Sequence, residues 1–573
     1  MKVIKATKKF QKIISEYERS KVFIIRLPNL SINEIIVKKN FQNSSLYKIC
    51  QITNQITSTG ILNKTIVFIG PMYLLSYIYH SVNKQYKFQH LVALRIKTLN
   101  FKKRFLPNEH LGLIIFSTSK TPSFNETKLP YQYCRCCKRT VKDYGGKRHL
   151  LNSDGTRISD VWKEFAISES QVFPKEVLKI IKKFTLGKVQ NGITCLSLKK
   201  YNDFRKYNLN ALDEEITKKL VPTVTKINSI HNKTRKNMIF NQDVMAGFKK
   251  IPNNTVDLAL IDPPYNLSIK YGKFRDNKDR DEYLSWIKSW INQISRTLKN
   301  GGLLFFVNTP QWSLEIFPYL QKQLSFQGWI VWSAWSIPGG NMVPAHYPIL
   351  CFSKGKNLKT FNKPKKFLKD VESNELLHPL TYGYCIRSWC LARRNHKMRT
   401  DRRLLSDLWY DIHRIRHNLF RYNHPTLMPQ KLAKRIILLF SKPNDVVLDC
   451  FNGVGTTTLV AQKLKRNFIG IEKNTSYYNT SVDRHAILSA GGDPFEKSKA
   501  KSTSVNKGYR IIKHQNQEPK YLLQLEVKKV AHKLGHCPSK SELRKFGKYP
   551  LKVYYDNFRD WAEITVATRR TGI

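Results

Sequence analysis

Acidic residues are scarce in this 573-residue chain, with 41 Asp and Glu against 99 Lys and Arg. The resulting formal charge of +58 says nothing about fold, but it argues for a polyanionic partner. Abundant Lys, Asn and Ile also fit the codon usage of an AT-rich genome. No apolar run approaches the length of a membrane span, which excludes a transmembrane helix reading. The first residues hold no signal-peptide hydrophobic region, so a cytoplasmic location is expected. Ten cysteines, several within strand-like runs, fit reduced thiols in a cytosol-like compartment better than a disulfide framework. A hydrophobic fraction of 41% suits a folded chain of two or three domains.

Two stretches carry the chemistry. The first is Val256-Asp257-Leu258-Ala259-Leu260-Ile261-Asp262-Pro263-Pro264-Tyr265. A short apolar run ending in an acid, two prolines and an aromatic predicts a buried parallel strand closed by a rigid loop. Proline lacks an N–H, so the loop offers acceptors: a carboxylate and free carbonyls beside a flat ring. That set suits an amino group on a planar molecule. The second stretch is Val447-Leu448-Asp449-Cys450-Phe451-Asn452-Gly453-Val454-Gly455-Thr456-Thr457, followed by Phe468-Ile469-Gly470-Ile471-Glu472. Gly453 and Gly455 stand between a predicted strand and helix, where glycine lets backbone approach a ligand. Glu472, at the end of the next strand, is positioned to accept from two ribose hydroxyls. An NAD-type site is disfavoured because the third glycine spacing is missing.

Together the two stretches resemble the amino-group DNA methyltransferases, which methylate adenine N6 or cytosine N4. Asp262-Pro263-Pro264-Tyr265 is similar to their catalytic motif, and the glycine stretch to their S-adenosylmethionine loop. The catalytic motif comes first, an order that resembles the β group. The resemblance implies that Asp449, Phe451, Asn452, Thr456 and Thr457 line the cofactor site and that Asp243 approaches the adenine end. His424-Pro425-Thr426 is similar to a motif that contacts the methionine moiety, which adds Pro425 and Thr426. Cys450 stands where Pro is usual and Met428 where Lys is common. The pocket implies that Asp262 and the Pro263 carbonyl accept both amine hydrogens and free the nitrogen lone pair. No Pro-Cys nucleophile loop is present, so no covalent enzyme intermediate is expected. The target base must leave the duplex, with Tyr265 stacking on it.

The chain also repeats itself at a separation of about 240 residues. Val67-Phe68-Ile69-Gly70-Pro71 matches Phe306-Val307-Asn308-Thr309-Pro310. The stretches beginning at Phe88, His110 and Ser159 match those beginning at Phe326, His346 and Ser406, and Phe173-Pro174 matches Met428-Pro429. Residues 1–200 are therefore expected to be a degenerate methyltransferase-like module. Asn191-Gly192-Ile193-Thr194-Cys195-Leu196-Ser197 stands where the glycine loop should be, and residues 1–60 carry no recognisable motif. Members of this group often pair through their sheets, so the module is read as a fused partner, structural or DNA-clamping.

A linker is expected at 201–236, a catalytic domain at 237–489 with its target-recognition region at about 310–420, and a second linker at 490–520. Asn266 to Arg280 is polar and is expected to close over an extruded base. Trp329, Trp332 and Trp335 read as core. Arg393, Arg394, Arg399, Arg402 and Arg403, with Arg414 and Arg416 beyond, read as a DNA-facing cluster. In 521–573, Leu523, Val527, Val530 and Leu534 form a helical stripe stopped by Gly535, and Ser539 to Glu542 form a capping box. This tail resembles the small helical repeat found beside homing endonucleases, which implies DNA binding. Cys134 and Cys137 fall in the first copy where Cys385 and Cys390 fall in the second, a set that could hold structural zinc.

The expected architecture is α/β: a doubly wound Rossmann-like methyltransferase sheet, preceded by the degenerate copy and followed by a small helical module. The expected activity is adenine-N6 methylation of double-stranded DNA with S-adenosylmethionine, with base flipping and nucleoid association. Cytosine-N4 methylation, an RNA substrate, and an inactive DNA-binding protein of restriction or mobile-element origin remain alternatives. A cognate restriction endonuclease is an open partner, and oligomeric state is open.

Overall fold

The computed structural model describes residues 2–198, 236–495 and 520–569, less 6–9, 30–44, 59–63, 101–104, 120–123, 142–150, 169–170, 172, 187–191, 272–273, 335–339, 364–376, 379–383, 386, 398–402, 416–421, 423, 556 and 559. Both expected linkers, Trp335, Arg399, Arg402 and Arg416 lie wholly or largely outside the described residues. No helix among the described residues is long and apolar enough to cross a membrane.

The first 200 residues hold β1 (Lys2–Lys5), β2 (Val22–Arg26), β3 (Thr65–Gly70), β4 (Lys87–Asn100), β5 (Asn108–Ser117), β6 (Lys128–Leu129), β7 (Thr156–Arg157), β8 (Val161–Ile167) and β9 (Ile193–Ser197). The later strands are β10 (Met238–Asn241), β11 (Val256–Ile261), β12 (Lys270–Tyr271), β13 (Phe274–Arg275), β14 (Leu298–Val307), β15 (Ser325–Ser333), β16 (His346–Ser353), β17 (Leu377–His378), β18 (Arg403–Leu404), β19 (Leu408–Trp409), β20 (Val446–Asp449) and β21 (Asn467–Glu472). The chain clusters into two compact units. One joins Met1–Asn125, Ser159–Pro379 and Arg402–Lys497; the other joins Glu126–Ile158, Leu380–Asp401 and Ser498–Ile573.

The first unit contains two mixed sheets. One runs β1-β9-β2-β3-β5-β4-β8, the other β10-β21-β20-β11-β14-β16-β15-β19. From β9 and β20 onward the neighbours alternate in the same way. β2 pairs parallel with β9 and β3, as β11 does with β20 and β14. An antiparallel pair follows in each, β3–β5–β4 and β14–β16–β15, and then a parallel edge strand. Their continuous apolar runs are buried on both faces, as helix-covered sheets require.

Contacts between the sheets are reciprocal. The Asp160 carboxylate accepts from the backbone N–H groups of Ala345 and His346 at 2.6 and 2.9 Å. The Asp407 carboxylate accepts from the N–H of Glu109 at 2.9 Å and lies 3.0 Å from Nδ1 of His110. Asp160 N–H donates to Val343, and Asp407 N–H donates to Pro107. The helices Met72–Ser81 and Pro310–Gln323 meet through Tyr77 and Phe317, with ring centroids 6.1 Å apart. Equivalent residues thus exchange equivalent contacts, the pattern of a two-fold interface.

Ladder register corrects the sequence reading of the first half. Ile25 pairs with Phe68, which pairs with Ile114; Ile261 pairs with Phe306, which pairs with Leu350, so Phe68 and not Val67 is the counterpart of Phe306 and that match shifts by one residue. Residues 1–60 therefore supply the strand equivalent to β11, a role with no side-chain signature. By the same register Ile193–Ser197 is the strand before a loop, so it is not the counterpart of the glycine loop itself.

In the second unit, helix Lys520–Leu534 ends at Gly535, whose φ is +74°, and the helix Lys540–Phe546 carries the capping box of Ser539 and Glu542. Leu523, Val527, Val530, Leu543, Tyr554, Phe558 and Ile564 form its small core. Residues 126–158 and 380–401 cluster with this tail, whereas the sequence reading assigned them to the first module and the recognition region.

Candidate active site

The two chemical motifs, nearly 190 residues apart in the chain, are brought together because β11 and β20 are neighbours. From β11 the chain moves to one side of the sheet and from β20 to the other, so the strand ends open into a crevice at this switch point. The crevice has a volume of about 850 Å³, at the upper end of the roughly 300–1,000 Å³ typical of ligand sites.

On one wall Gly453 and Gly455 adopt φ of +50° and +88°, and Gly455 caps the helix Thr456–Lys463. A Cβ on Gly455 would stand 2.2 Å from Oγ of Ser481, so only glycine fits the turn. Glu472 holds the loop: its carboxylate accepts from the N–H of Gly453 at 2.8 Å and of Asn474 at 2.6 Å. Asn452 is committed to the same scaffold, donating to Ser481 and accepting from Thr458. Asp243 caps the helix Val244–Phe248 and lines the crevice. Phe451 sits against Trp286 and Trp290, with centroids 5.3 and 5.4 Å away. Two polar atoms on the wall, Oγ1 of Thr456 and Oε1 of Gln242, are buried without a hydrogen-bond partner. Such atoms call for a ligand or water.

Opposite stands Asp262. Tyr265 donates its hydroxyl to Asp262 Oδ1, and burial pushes the Asp262 carboxyl up to about 6 despite that bond and the Arg414 charge, both of which lower it. Arg414 is held 4.5 Å over the Tyr347 ring and donates to its hydroxyl at 2.7 Å. The Pro264 carbonyl accepts from the Tyr283 hydroxyl at 2.5 Å. Asp449 is pushed up to about 7, chiefly by burial, with Asp262 and Glu472 adding repulsion; Glu472 is raised by burial as well. A chain rich in cations thus presents a crevice of crowded carboxylates.

The placement of the expected residues is uneven. Asp262, Pro264, Asp243, Thr426, Asp449, Phe451, Asn452, Gly453, Thr456, Thr457 and Glu472 line the crevice. Pro263, Tyr265, Pro425 and Gly455 do not. Tyr265 is only 5% exposed and packs in the core beside Tyr347, so its ring offers no face to the crevice, in contrast to the expected stacking role. The loop from Asn266 is pinned as well: β12 and β13 form a hairpin whose Asp276 accepts from the N–H of Leu267. Tyr271 in that hairpin reaches Thr426 Oγ1 at 3.1 Å.

Tyr271, Tyr283, Trp286, Lys473 and Tyr477 line the crevice but were not singled out from sequence. Trp286 shares the helical spacing of buried Ile287 and Trp290, so spacing alone does not mark it as a wall residue. Of the arginine cluster, Arg393 is exposed but Arg394 is 2% exposed and bonded to Cys385 O at 2.9 Å, which removes it from any DNA-facing surface. Trp329 and Trp332 are core, as expected. The sulfurs of Cys134, Cys137, Cys385 and Cys390 cluster in the second unit.

A crevice at the reversal point of an open, mixed sheet defines an α/β domain of the Rossmann-like class. Comparison with known proteins takes this further. A DNA methylase family model of N6/N4 type matches residues 256–483. The type II methyltransferase M1.MboII of Moraxella bovis is 33% identical over 255 residues, covering 42% of this chain and 94% of that protein. The DNA adenine methyltransferase YhdJ of Escherichia coli is 31% identical, over 44% of this chain and 83% of that one. The type II methyltransferase M.BamHI of Bacillus amyloliquefaciens is 35% identical over 41% of this chain, and the match spans only 54% of its length. Among solved structures, the M1.HpyAVI–SAM complex is 22% identical, covering 43% of this chain and 98% of that one with a TM-score of 0.31. The chain belongs to the N6/N4 DNA methylase family.

Proposed function

We propose that the second sheet of this chain transfers a methyl group from S-adenosylmethionine to the exocyclic N6 of adenine in double-stranded DNA. The observation that carries the reading is that the acid Asp262, at the end of β11, and Gly453 of the glycine turn line one crevice. The residues suit the cofactor. Three carboxylates whose ionisation is opposed by burial, Asp262, Asp449 and Glu472, favour a cationic ligand. The unpartnered Thr456 hydroxyl stands at a helix N-terminus, where a ligand carboxylate is welcome. Glu472 has lone pairs left for ribose hydroxyls, and Asp243 and Gln242 line the same crevice. When bound, S-adenosylmethionine supplies an electrophilic methyl group on a cationic sulfur.

The rest is done by this chain's own side chains. Tyr265 occupies one Asp262 oxygen and leaves the other to accept an amine hydrogen, which draws electron density toward the nitrogen. Arg414 offsets part of the burial effect and so favours the ionised form of that carboxylate, and Tyr283 holds the Pro264 carbonyl. Because Tyr265 is buried, an aromatic of the crevice wall such as Tyr271 takes the role of meeting an extruded base.

The reciprocal strand order and the exchanged Asp160 and Asp407 contacts support reading the first half as a diverged copy that acts as a built-in second subunit. The basic tail helices, where Lys540 lies over Tyr555 and Trp561, support a DNA-holding role for 520–569. An acid at position 262 favours adenine over cytosine N4. The test is to digest DNA incubated with the chain and labelled cofactor, then identify the nucleoside by mass spectrometry. N6-methyladenine with wild type and none with Asp262→Ala is expected. N4-methylcytosine would replace the substrate assignment, and no label would favour an inactive DNA binder.

A further inference from the structure

Outside the crevice, one cluster of ligand-type side chains stands out among the described residues. The sulfurs of Cys134, Cys137, Cys385 and Cys390 all lie within 4.8 Å of one another. Cys134 and Cys390 are 3.8 Å apart, and Cys137 and Cys385 3.6 Å. A disulfide requires about 2.05 Å, so these are four free thiols. A tetrahedron of sulfurs around zinc, with bonds of about 2.3 Å, has edges of about 3.8 Å. The observed spacing is that of the ligand shell.

The backbone is built to present them. Cys134 N–H donates to Arg139 O at 2.6 Å and Cys134 O accepts from Lys138 N–H at 2.8 Å, closing a tight turn in which Lys138 takes φ of +56°. An antiparallel bridge between Tyr133 and Thr140 continues it. This turn offers two thiols with a two-residue gap. The other pair comes from the start of the helix Ser388–Lys397, where Cys390 lies in the first turn and Cys385 just before it. A four-residue gap is within the range of structural zinc sites.

Charge points the same way. Arg394 donates to Cys385 O and lies 3.3 Å from Cys390 Sγ, while Arg387 donates to Thr140 O at 2.8 Å. Both guanidiniums are buried, 2% and 8% exposed. Four neutral thiols give buried cations little reason to gather, whereas zinc with four thiolates carries net charge −2 and is offset by them.

We propose that Cys134, Cys137, Cys385 and Cys390 bind one structural zinc ion that clamps the 126–158 segment to the 380–401 segment. The site is closed, with four protein ligands and no open position, so its role is to fix the fold of these two segments. It accounts for why two stretches some 250 residues apart in sequence form one compact unit.

The test uses the full chain purified without added metal. Elemental mass spectrometry should find about one zinc per chain, and titration with an organomercurial should release it as four thiols react. Cys134→Ser and Cys385→Ser should each cut zinc to below about a tenth of wild type, while Cys136→Ser, which alters a neighbouring thiol outside the set, should retain it. If the ligand variants fail to fold, exchange of wild type with cobalt(II) provides a second readout: the absorption bands of tetrahedral tetrathiolate cobalt are expected. Substoichiometric metal in the wild type, bound iron in its place, two disulfides in the isolated protein, or zinc retained by both ligand variants would each overturn the proposal.

Discussion

The two sheets of the first unit share strand order and strand direction, yet they end differently where chemistry would occur. Register puts Arg26 in the place of Asp262, and Leu27-Pro28-Asn29 in the place of Pro263-Pro264-Tyr265. Cys195 stands where β20 has Asp449. Among the described residues, the second sheet has both β10 and β21 beyond its glycine-loop strand, and the first has β1 alone. A scaffold can thus keep its core while the strand ends that carry function change sign. Core positions are held by packing, and a strand-end residue is held by little except use.

The sharpest way to break this comparison is to exchange the two strand ends. Asp262→Arg should lower methyl transfer at least about a hundredfold, the scale of losing a preorganised charged acceptor. Arg26→Asp should leave the rate within about twofold. Initial rates with labelled cofactor decide it, and a comparable loss in both variants would mean that the first sheet also takes part in catalysis.

A smaller effect concerns the interface. Asp160→Ala and Asp407→Ala each strand buried N–H donors, so each should destabilise the chain by about 1–3 kcal/mol. Denaturant unfolding measures this, and the two losses should be similar if the contacts are equivalent. A chain whose two halves already satisfy each other should also sediment as a monomer.

The smallest expected effects lie in pH. Burial holds Asp262 up to about 6, so the ionised acceptor is lost as pH falls through that value, and kcat should decline with it. Arg414 lowers the Asp262 pKa, so Arg414→Ala should move the acidic limb to higher pH. The stability sign is opposite. A raised folded pKa means that this group contributes most in acid and least above 6, so Asp262→Asn should stabilise the inactive protein at pH 8 by roughly 1–3 kcal/mol.

Much of this organisation is legible in the sequence. The matched stretches at Val67, Phe88, His110 and Ser159 fall on strands that hold the same places in their sheets as those at Phe306, Phe326, His346 and Ser406. Periodicity reports burial, and both sheets bury the same faces. What it could not report was β2, because Val22–Arg26 is an apolar strand that ends without chemistry. Nor could it separate Trp286 on the crevice wall from Trp290 beneath it, since both lie on one apolar face. Arg394 read as a DNA contact because a run of like charge carries no sign of which member turns inward toward cysteines.

The account rests on one of two similar sheets having a cofactor site, and counting sites tests that directly. Calorimetric titration of the full chain with S-adenosylmethionine should give one site per chain, abolished by Gly455→Val and unaffected by Arg26→Ala. Two sites per chain, or binding that survives Gly455→Val, would contradict it.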